Sequence, residues 1–149
     1  MNRAGLAAMI VFATFALPGW SQTAPESEIK GFFEAYVQAF NKADGHTLAS
    51  QFYAIPGVSP AAMEAKLNHQ FAALRGDEFG KMNLFEAKPC IHDSAAEVEV
   101  SFEYQFTYGG QMPLGDQAAK FGLVFGKEGW RIASTQTLKP GERVACPKN

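Results

Sequence analysis

The spacing of apolar residues changes once along this chain, from the period of a helix to that of a strand, and the change falls at Gly76. Before Gly76, apolar side chains recur every three or four positions, which places them on one face of an α-helix. After Gly76, apolar and polar side chains alternate, as in a strand that buries one face. We therefore expect an α+β fold, in which helices cover one side of an antiparallel sheet.

Three helices are predicted before Gly76. Gly45 is expected to end the first helix, because glycine adopts the left-handed backbone conformation at little cost. Ser59 and Pro60 are expected to begin the third helix, because a serine oxygen caps free amides and proline suits the first helical position. The predicted spans are Ile29–Asp44, His46–Phe52 and Ser59–Arg75.

Four strands in a meander are predicted after Gly76. The turn from Gly126 to Gly129 indicates a hairpin between the last two strands. Pro89 is expected at an edge or bulge position, because proline cannot donate a hydrogen bond to a neighbouring strand. The predicted spans are Phe79–Ile91, Glu97–Tyr108, Gln117–Phe125 and Trp130–Leu138.

The second predicted strand has the clearest alternation. Its apolar face carries Val98, Val100, Phe102, Tyr104, Phe106 and Tyr108. Three acids, Glu97, Glu99 and Glu103, share the opposite face, so they are expected to point into solvent and to meet Lys120 or Arg131 across the sheet. A paired-carboxylate hydrolase is therefore not indicated.

The first 21 residues have the order of a secretory signal peptide. Arg3 is followed by an apolar run, Leu6–Leu17, and then by a proline and small residues suited to cleavage before Gln22. The run is shorter than the roughly 20 apolar residues of a transmembrane helix. We therefore expect residues 22–149 to form a single exported domain, periplasmic or secreted, with no membrane span after cleavage.

Two cysteines, Cys90 and Cys146, remain in the predicted mature chain. Because exported proteins enter a compartment where thiols oxidise, we expect one disulfide that ties the C-terminal tail to the sheet. The chain-entropy model assigns such a link roughly 4 kcal/mol of stabilisation. Two free thiols or a metal pair are the alternatives, and the chain has no CxxC spacing that would indicate redox catalysis.

Other function classes have little support in the sequence. The net charge is −2 and the basic residues are scattered, which argues against nucleic-acid binding. No metal site or cofactor is predicted, because no two of His46, His69 and His92 have the spacing of ligands on one helix face. The sequence also lacks a GxSxG motif and a glycine-rich phosphate loop.

Three segments together resemble the nuclear-transport-factor-2-like (NTF2-like) superfamily, which includes the ketosteroid isomerases and the SnoaL-like polyketide cyclases. They are AYVQAFNKAD in the first helix, FYA at the end of the second, and the last hairpin, FGLVFGKEGWRIAS. The resemblance covers nearly the whole mature chain and implies a cystatin-like cone, in which a curved four-stranded sheet wraps around the helices. These are packing patterns, so they predict a fold and not a reaction.

A cone of this family implies an apolar cavity. The inward residues here would make it aromatic, with Phe33, Tyr36, Phe102, Tyr104 and Phe106 as the candidate lining. Such a pocket suits a small apolar ligand with one or two polar groups. The alternative is that these rings fill one another and leave no cavity.

Tyr36 also matches the tyrosine that donates a hydrogen bond to the developing enolate oxygen in ketosteroid isomerases. That reaction needs a carboxylate base, implied in or near YAIPGVSP, and a protonated acid, implied near Phe121, and neither place holds an acid. We therefore predict a domain that is non-catalytic or binds a small ligand. The alternatives are a lyase or isomerase that uses Tyr36, and an interaction module that forms a homodimer through the exposed sheet face.

Overall fold

The computed structural model describes residues 26–107 and 114–146, with the side chains of residues 114–117 left out. The predicted signal peptide and Tyr108 lie outside these ranges, and the division into residues 1–21 and 22–149 stays a prediction. The elements are α1 (Glu26–Asn41), α2 (Gly45–Thr47), a π-helical segment (Leu48–Phe52), α3 (Pro60–Gly76), β1 (Phe79–His92), β2 (Ala95–Phe106), β3 (Leu114–Gly126) and β4 (Gly129–Thr137). The predicted α+β order is confirmed.

The start of α3 follows the predicted capping. The Ser59 hydroxyl accepts a hydrogen bond from the Ala62 amide at 3.2 Å, and Pro60 is the first helical residue. None of the helices in the described ranges is long and apolar enough to cross a membrane.

The end of α1 differs from the prediction. The helix ends at Asn41, and Ala43, not Gly45, has the positive φ, at 53°. Gly45 instead begins α2 and is buried, and a Cβ atom at this position would clash with the side chain of Asn68 on α3. A side chain at this position would have to displace the Asn68 amide, which the turn signal alone does not reveal.

The four strands form one antiparallel sheet in the order β1-β2-β3-β4. Its inner face packs against the helices through alternate residues, as the sequence predicted. Buried residues of this face include Val98, Val100, Phe102, Phe121, Leu123 and Ile132. Register shifts in the β1–β2 and β3–β4 pairs indicate bulges, which bend strands and so curve the sheet around the helices.

Each edge of the sheet meets another part of the chain. At β1, the Asn41 side chain donates to the Met82 carbonyl and accepts from the Met82 amide, both at 2.8 Å. At β4, the Ala54 amide donates to the Ile132 carbonyl at 2.8 Å. Pro89 lies in β1, which is an edge strand as predicted.

The outer face of the sheet, which points away from the helices, carries the three acids of β2. Glu97 lies 3.3 Å from Lys120, as predicted, and its side chain is half exposed. Glu99 does not point into solvent, and the prediction for this residue is wrong. It is 6% exposed, because the C-terminal tail, residues 139–146, lies over it.

The tail runs back across the sheet from the end of β4. Two hydrogen bonds between Lys139 and Glu142, both 2.9 Å, form a turn that reverses the chain. Beyond the turn the chain passes over β2 and reaches β1, where Cys146 forms a disulfide with Cys90 at an S–S distance of 2.03 Å. The tail thus joins the two edges of the sheet over its outer face.

Two groups of the tail hold the Glu99 carboxylate. The Val144 amide donates to Glu99 Oε2 at 3.1 Å, and Arg143 Nη1 lies 3.5 Å from Glu99 Oε1. Arg131, which was predicted as a cross-strand partner of the acids, instead pairs with Glu128 at 3.0 Å.

Candidate functional site

Tyr36 lies inside a cluster of aromatic rings between α1 and the inner face of the sheet. The tyrosine is 5% exposed, and neighbouring ring centroids lie 5.7 to 6.3 Å from its own. These neighbours are Phe33, Phe40, Phe52, Tyr53, Phe102 and Phe121, and with Tyr36 they form what we call the aromatic cluster. Most of the pairs meet edge to face, an arrangement that aromatic rings prefer.

One hydrogen bond joins two hydroxyls of the cluster. The oxygen atoms of Tyr36 and Tyr53 are 2.9 Å apart, and a backbone bridge to Ile132 of β4 holds Tyr53 in place. Among the described residues, Tyr53 is the one hydrogen-bonding partner of the enclosed Tyr36 hydroxyl. A buried hydroxyl proton without an acceptor is unfavourable by about 1–3 kcal/mol, so we assign Tyr36 as the donor. The proton of Tyr53 is then left for another acceptor.

The pKa values of the tyrosines agree with a donor role. Burial raises the pKa of Tyr36 well above 10.0, and the nearby Tyr53 raises it further. Burial also raises the pKa of Tyr53, while the hydrogen bond from Tyr36 acts in the opposite direction. Burial and then Tyr53 raise the pKa of Tyr104. All three phenols therefore stay protonated at neutral pH, and they act as donors rather than as bases.

The residues predicted to line a pocket lie along one continuous strip. Phe33, Tyr36 and Phe102 belong to the buried aromatic cluster. Tyr104 and Phe106 follow on the same face of β2 and are partly exposed. The ring centroids of Phe102 and Tyr104 are 6.3 Å apart, and those of Tyr104 and Phe106 are 6.5 Å apart. The strip therefore leads from the core to the surface, while its role as a ligand pocket stays a prediction.

Four members of the cluster were not predicted as site residues, namely Phe40, Phe52, Tyr53 and Phe121. Tyr53 belongs to the segment FYA, which resembles a packing pattern of the superfamily, although a tyrosine at the end of an apolar segment is also a signal for a polar contact. Phe121 stands at the position near which the resemblance implies the protonated acid of an isomerase. Its ring centroid lies 6.3 Å from that of Tyr36, so a phenyl ring fills that part of the site.

The base position implied by the resemblance has no carboxylate either. The segment YAIPGVSP begins with Tyr53, which contributes a hydroxyl to the site. Among the described residues, no carboxylate is hydrogen-bonded to Tyr36 or Tyr53.

The three histidines lie in separate parts of the molecule. His46 Nδ1 is 3.1 Å from Glu64, His69 is exposed on α3, and His92 Nε2 is 3.2 Å from the sulfur of Cys90. Within residues 26–107 and 114–146, no three His, Cys, Asp or Glu side chains come together as metal ligands would.

A cavity of about 220 Å³ borders the aromatic cluster at Phe40. Phe71, Leu74 and Phe79 make its wall apolar, and Lys42 and Arg75 are basic residues beside it. An apolar wall next to two cations would suit a ligand with an acidic group. The site therefore offers neutral donors at Tyr53 and Tyr104, and positive charge near Phe40.

Neither a protein-family model nor a curated protein sequence matches this chain. Solved structures do match. An NTF2-like protein with a cystatin-like fold from Novosphingobium aromaticivorans is 19% identical, with a TM-score of 0.63, over 78% of this chain and 83% of that one. Aln2 from a Streptomyces species is 18% identical, with a TM-score of 0.62, over 78% and 93%.

A third structure is that of a protein from Catenulispora acidiphila in complex with S-DNPA. It is 16% identical, with a TM-score of 0.59, over 75% of this chain and 90% of that one. At such identities a structural match establishes the fold and leaves the activity open. The chain therefore has the NTF2-like, cystatin-like fold that its sequence predicted.

Proposed function

We propose that this domain binds a small apolar molecule that carries a hydrogen-bond acceptor, and that it does not transform the molecule. The observation that supports this best is the Tyr36–Tyr53 hydroxyl pair within the aromatic cluster. The pair holds two protons and uses one of them internally, so Tyr53 has a proton available for a ligand.

The surroundings of the pair favour an apolar ligand. The rings of the cluster and of the partly exposed Tyr104 and Phe106 are the kind of lining on which such molecules bury their surface. A ligand oxygen bound to Tyr53 would gain about 0.5–1.5 kcal/mol from the hydrogen bond, and apolar contact would supply the rest. The Catenulispora complex with S-DNPA supports small-molecule binding by a protein of this fold.

A screen with a mutational follow-up tests the proposal. Steroid ketones, fatty acids and aromatic acids are screened by thermal shift, and the affinity of any hit is measured by fluorescence titration. Tyr53→Phe is expected to weaken binding of a ketone about 2- to 10-fold, because it removes the donor. Tyr36→Phe is expected to have a smaller effect, because Tyr36 acts through Tyr53.

The control is Phe85→Leu, since Phe85 is 78% exposed and lies outside the cluster. This variant should bind as the wild type does. The proposal is wrong if no compound shifts the melting temperature and a crystal structure shows the cone filled by its own side chains. If the protein prefers acids and Arg75→Gln abolishes their binding, the ligand binds in the cavity beside Phe40 instead.

The same variants distinguish binding from catalysis. A lyase or isomerase that uses Tyr36 directly would lose more activity in Tyr36→Phe than in Tyr53→Phe. It would also need a base, which no described residue provides at the hydroxyl pair. Unchanged ligand after prolonged incubation, followed by mass spectrometry, is the expected result.

We also propose that the protein is exported, to the periplasm or the medium. The order of residues 1–21 supports this, as does the pair of cysteines. N-terminal sequencing of the protein from its host should give a chain that begins near Gln22. An intact N-terminus in a cytoplasmic fraction would contradict export.

Pairing of two copies stays a prediction. The tail already covers Glu99 on the outer face, so a homodimer would have to use the remainder of that face. Sedimentation at micromolar concentration would show whether the protein is a monomer or a dimer.

A further inference from the structure

The two cysteines of the disulfide lie in different surroundings. Cys90 is 3% exposed within β1, whereas Cys146 is an exposed residue of the tail. Thiol–disulfide exchange begins when a thiolate approaches one sulfur along the S–S axis, so access decides which sulfur is attacked. Because Cys146 is the exposed residue of the two, we expect an incoming thiol to attack its sulfur, and Cys90 is then the leaving group.

A proton donor lies beside the leaving sulfur. His92 Nε2 is 3.2 Å from Cys90 Sγ, because residues two apart on a strand point to the same face. A disulfide sulfur has no proton, so the imidazole N–H must donate to it. The same group would stabilise negative charge that develops on Cys90 when the bond breaks.

We propose that the Cys90–Cys146 disulfide is a thiol-exchange site, at which a small thiol attacks Cys146 and His92 assists the departure of Cys90. The thiolate forms a mixed disulfide with Cys146, while the electron pair of the broken S–S bond stays on Cys90 and takes a proton through His92. A second thiol attacks the mixed disulfide, which frees Cys146 and yields the oxidised small-molecule disulfide. Two thiols thus supply the two electrons of the reduction.

Reduction at this site has a structural consequence. The disulfide fastens the end of the tail, and the contacts of Glu99 with Arg143 and Val144 depend on the position of the tail. Once the link is open, the tail leaves and the Glu99 carboxylate becomes accessible. The site lies on the outer face, so the inference is independent of ligand binding at the aromatic cluster.

Other charged groups around the disulfide are few and mostly paired. Among the described residues they are Asp93, next to His92 in the chain, Lys88 of β1 with its partner Glu86, Glu97 on β2 with its partner Lys120 on β3, and Arg143 of the tail with its partner Glu99. Within the described ranges, His92 is the group that contacts the sulfur of Cys90.

The first test identifies the sulfur that is attacked. The whole protein is incubated with reduced glutathione, quenched with iodoacetamide and analysed by peptide mass spectrometry. The expected intermediate carries glutathione on Cys146 and the alkyl group on Cys90. Glutathione mainly on Cys90, or no reaction at all, would overturn the proposal.

The second test isolates the role of His92. His92→Gln should slow the first exchange step roughly three- to tenfold, because the leaving thiolate is less stabilised. His69→Gln is the matched control, since His69 is an exposed histidine on α3, and it should react at the wild-type rate. Equal rates for the two variants would overturn the role of His92.

The pH dependence separates proton donation from a merely structural role. The ratio of the wild-type rate to the His92→Gln rate should be larger at about pH 6 than at about pH 8, because a charged imidazolium stabilises a leaving thiolate more than a neutral imidazole does. The ratio cancels the change in glutathione thiolate with pH. A ratio that stays constant would mean that His92 only shapes the site.

Discussion

The two faces of the sheet are held by different means. On the inner face, side chains from the helices and from all four strands interlock, and the contacts are almost wholly apolar or aromatic. On the outer face, a single tail held by one disulfide and one carboxylate covers part of an otherwise polar surface. The packing of the inner face therefore depends on complementary side-chain shapes. The cover of the outer face depends on one disulfide, which a thiol can reduce, and on the contacts of one carboxylate.

This difference also separates the two functional hypotheses. On the inner face, three tyrosines with raised pKa values lie among aromatic rings, which suits the binding of a small apolar ligand. The outer face brings a histidine to a disulfide, which suits reaction with a thiol. Each of the following experiments acts on one face and leaves the other intact.

The largest effect is expected on the inner face. Phe33→Ala should lower the free energy of unfolding by about 3–5 kcal/mol, because the ring is fully buried and its loss leaves a cavity. Urea unfolding provides the measurement. Phe85→Ala, at a residue that is 78% exposed, is the control and should change stability by less than about 0.5 kcal/mol. Similar losses in both variants would contradict the packing described for α1.

Removal of the disulfide tests the outer face. Cys90→Ala combined with Cys146→Ala should lower the free energy of unfolding by about 2–4 kcal/mol, because the link constrains a long loop of the unfolded chain. The cysteines are 56 positions apart. Reduced wild-type protein should behave like the double variant in the same urea titration. A double variant as stable as the oxidised protein would mean that the tail stays in place without its link.

Substitution of Glu99 tests the noncovalent contacts between the sheet and the tail. Glu99→Ala should lower stability by about 1–3 kcal/mol, because it leaves the Val144 amide without its acceptor. Glu97→Ala, on the same strand face, removes a half-exposed ion pair with Lys120 and should lose only about 0.2–1 kcal/mol. If the two variants lose the same stability, the tail does not bury Glu99 in solution.

The smallest effect is expected in alkaline solution. Because burial raises the pKa of Tyr36, the folded protein keeps a proton that the unfolded chain loses above about pH 10. The stability from this tyrosine is therefore complete below that pH and falls as the pH rises, by up to about 1.4 kcal/mol per pH unit.

The measurement is urea unfolding at about pH 9 and about pH 11, with phenolate absorbance as a second signal. Tyr36→Phe should reduce the loss of stability between the two conditions. A wild-type protein whose tyrosines all ionise near pH 10 without unfolding would show that water reaches the hydroxyl pair.

The alternation of residues predicted the two faces of β2 correctly, because strand periodicity is a local property. It placed Phe102 on the inner face and Glu97 on the outer face without knowledge of any neighbour. It failed for Glu99, because the cover comes from the tail, which is remote in sequence and has no periodic pattern. Burial by an irregular segment cannot be read from a local repeat.

The candidate sites show the same limit. Tyr36 could be identified from the sequence because it interrupts the apolar face of a helix. The pairing of Tyr36 with Tyr53 could not be predicted, because the position of Tyr53 depends on how the segment after the π-helical segment meets β4. The proximity of His92 to Cys90 could have been predicted from the sequence, since the two residues are two positions apart where a predicted strand ends. Pairs within one element can thus be predicted, whereas pairs across elements need the fold.

The side chain of Asn41 has a consequence for the open edge of the sheet at β1. Its amide offers one donor and one acceptor to the Met82 backbone, as the peptide group of a fifth strand would. The open backbone groups of an outermost strand otherwise invite strands of other molecules to add to the sheet. Asn41 therefore occupies the backbone groups of Met82, with which a strand of another molecule would otherwise pair at this edge.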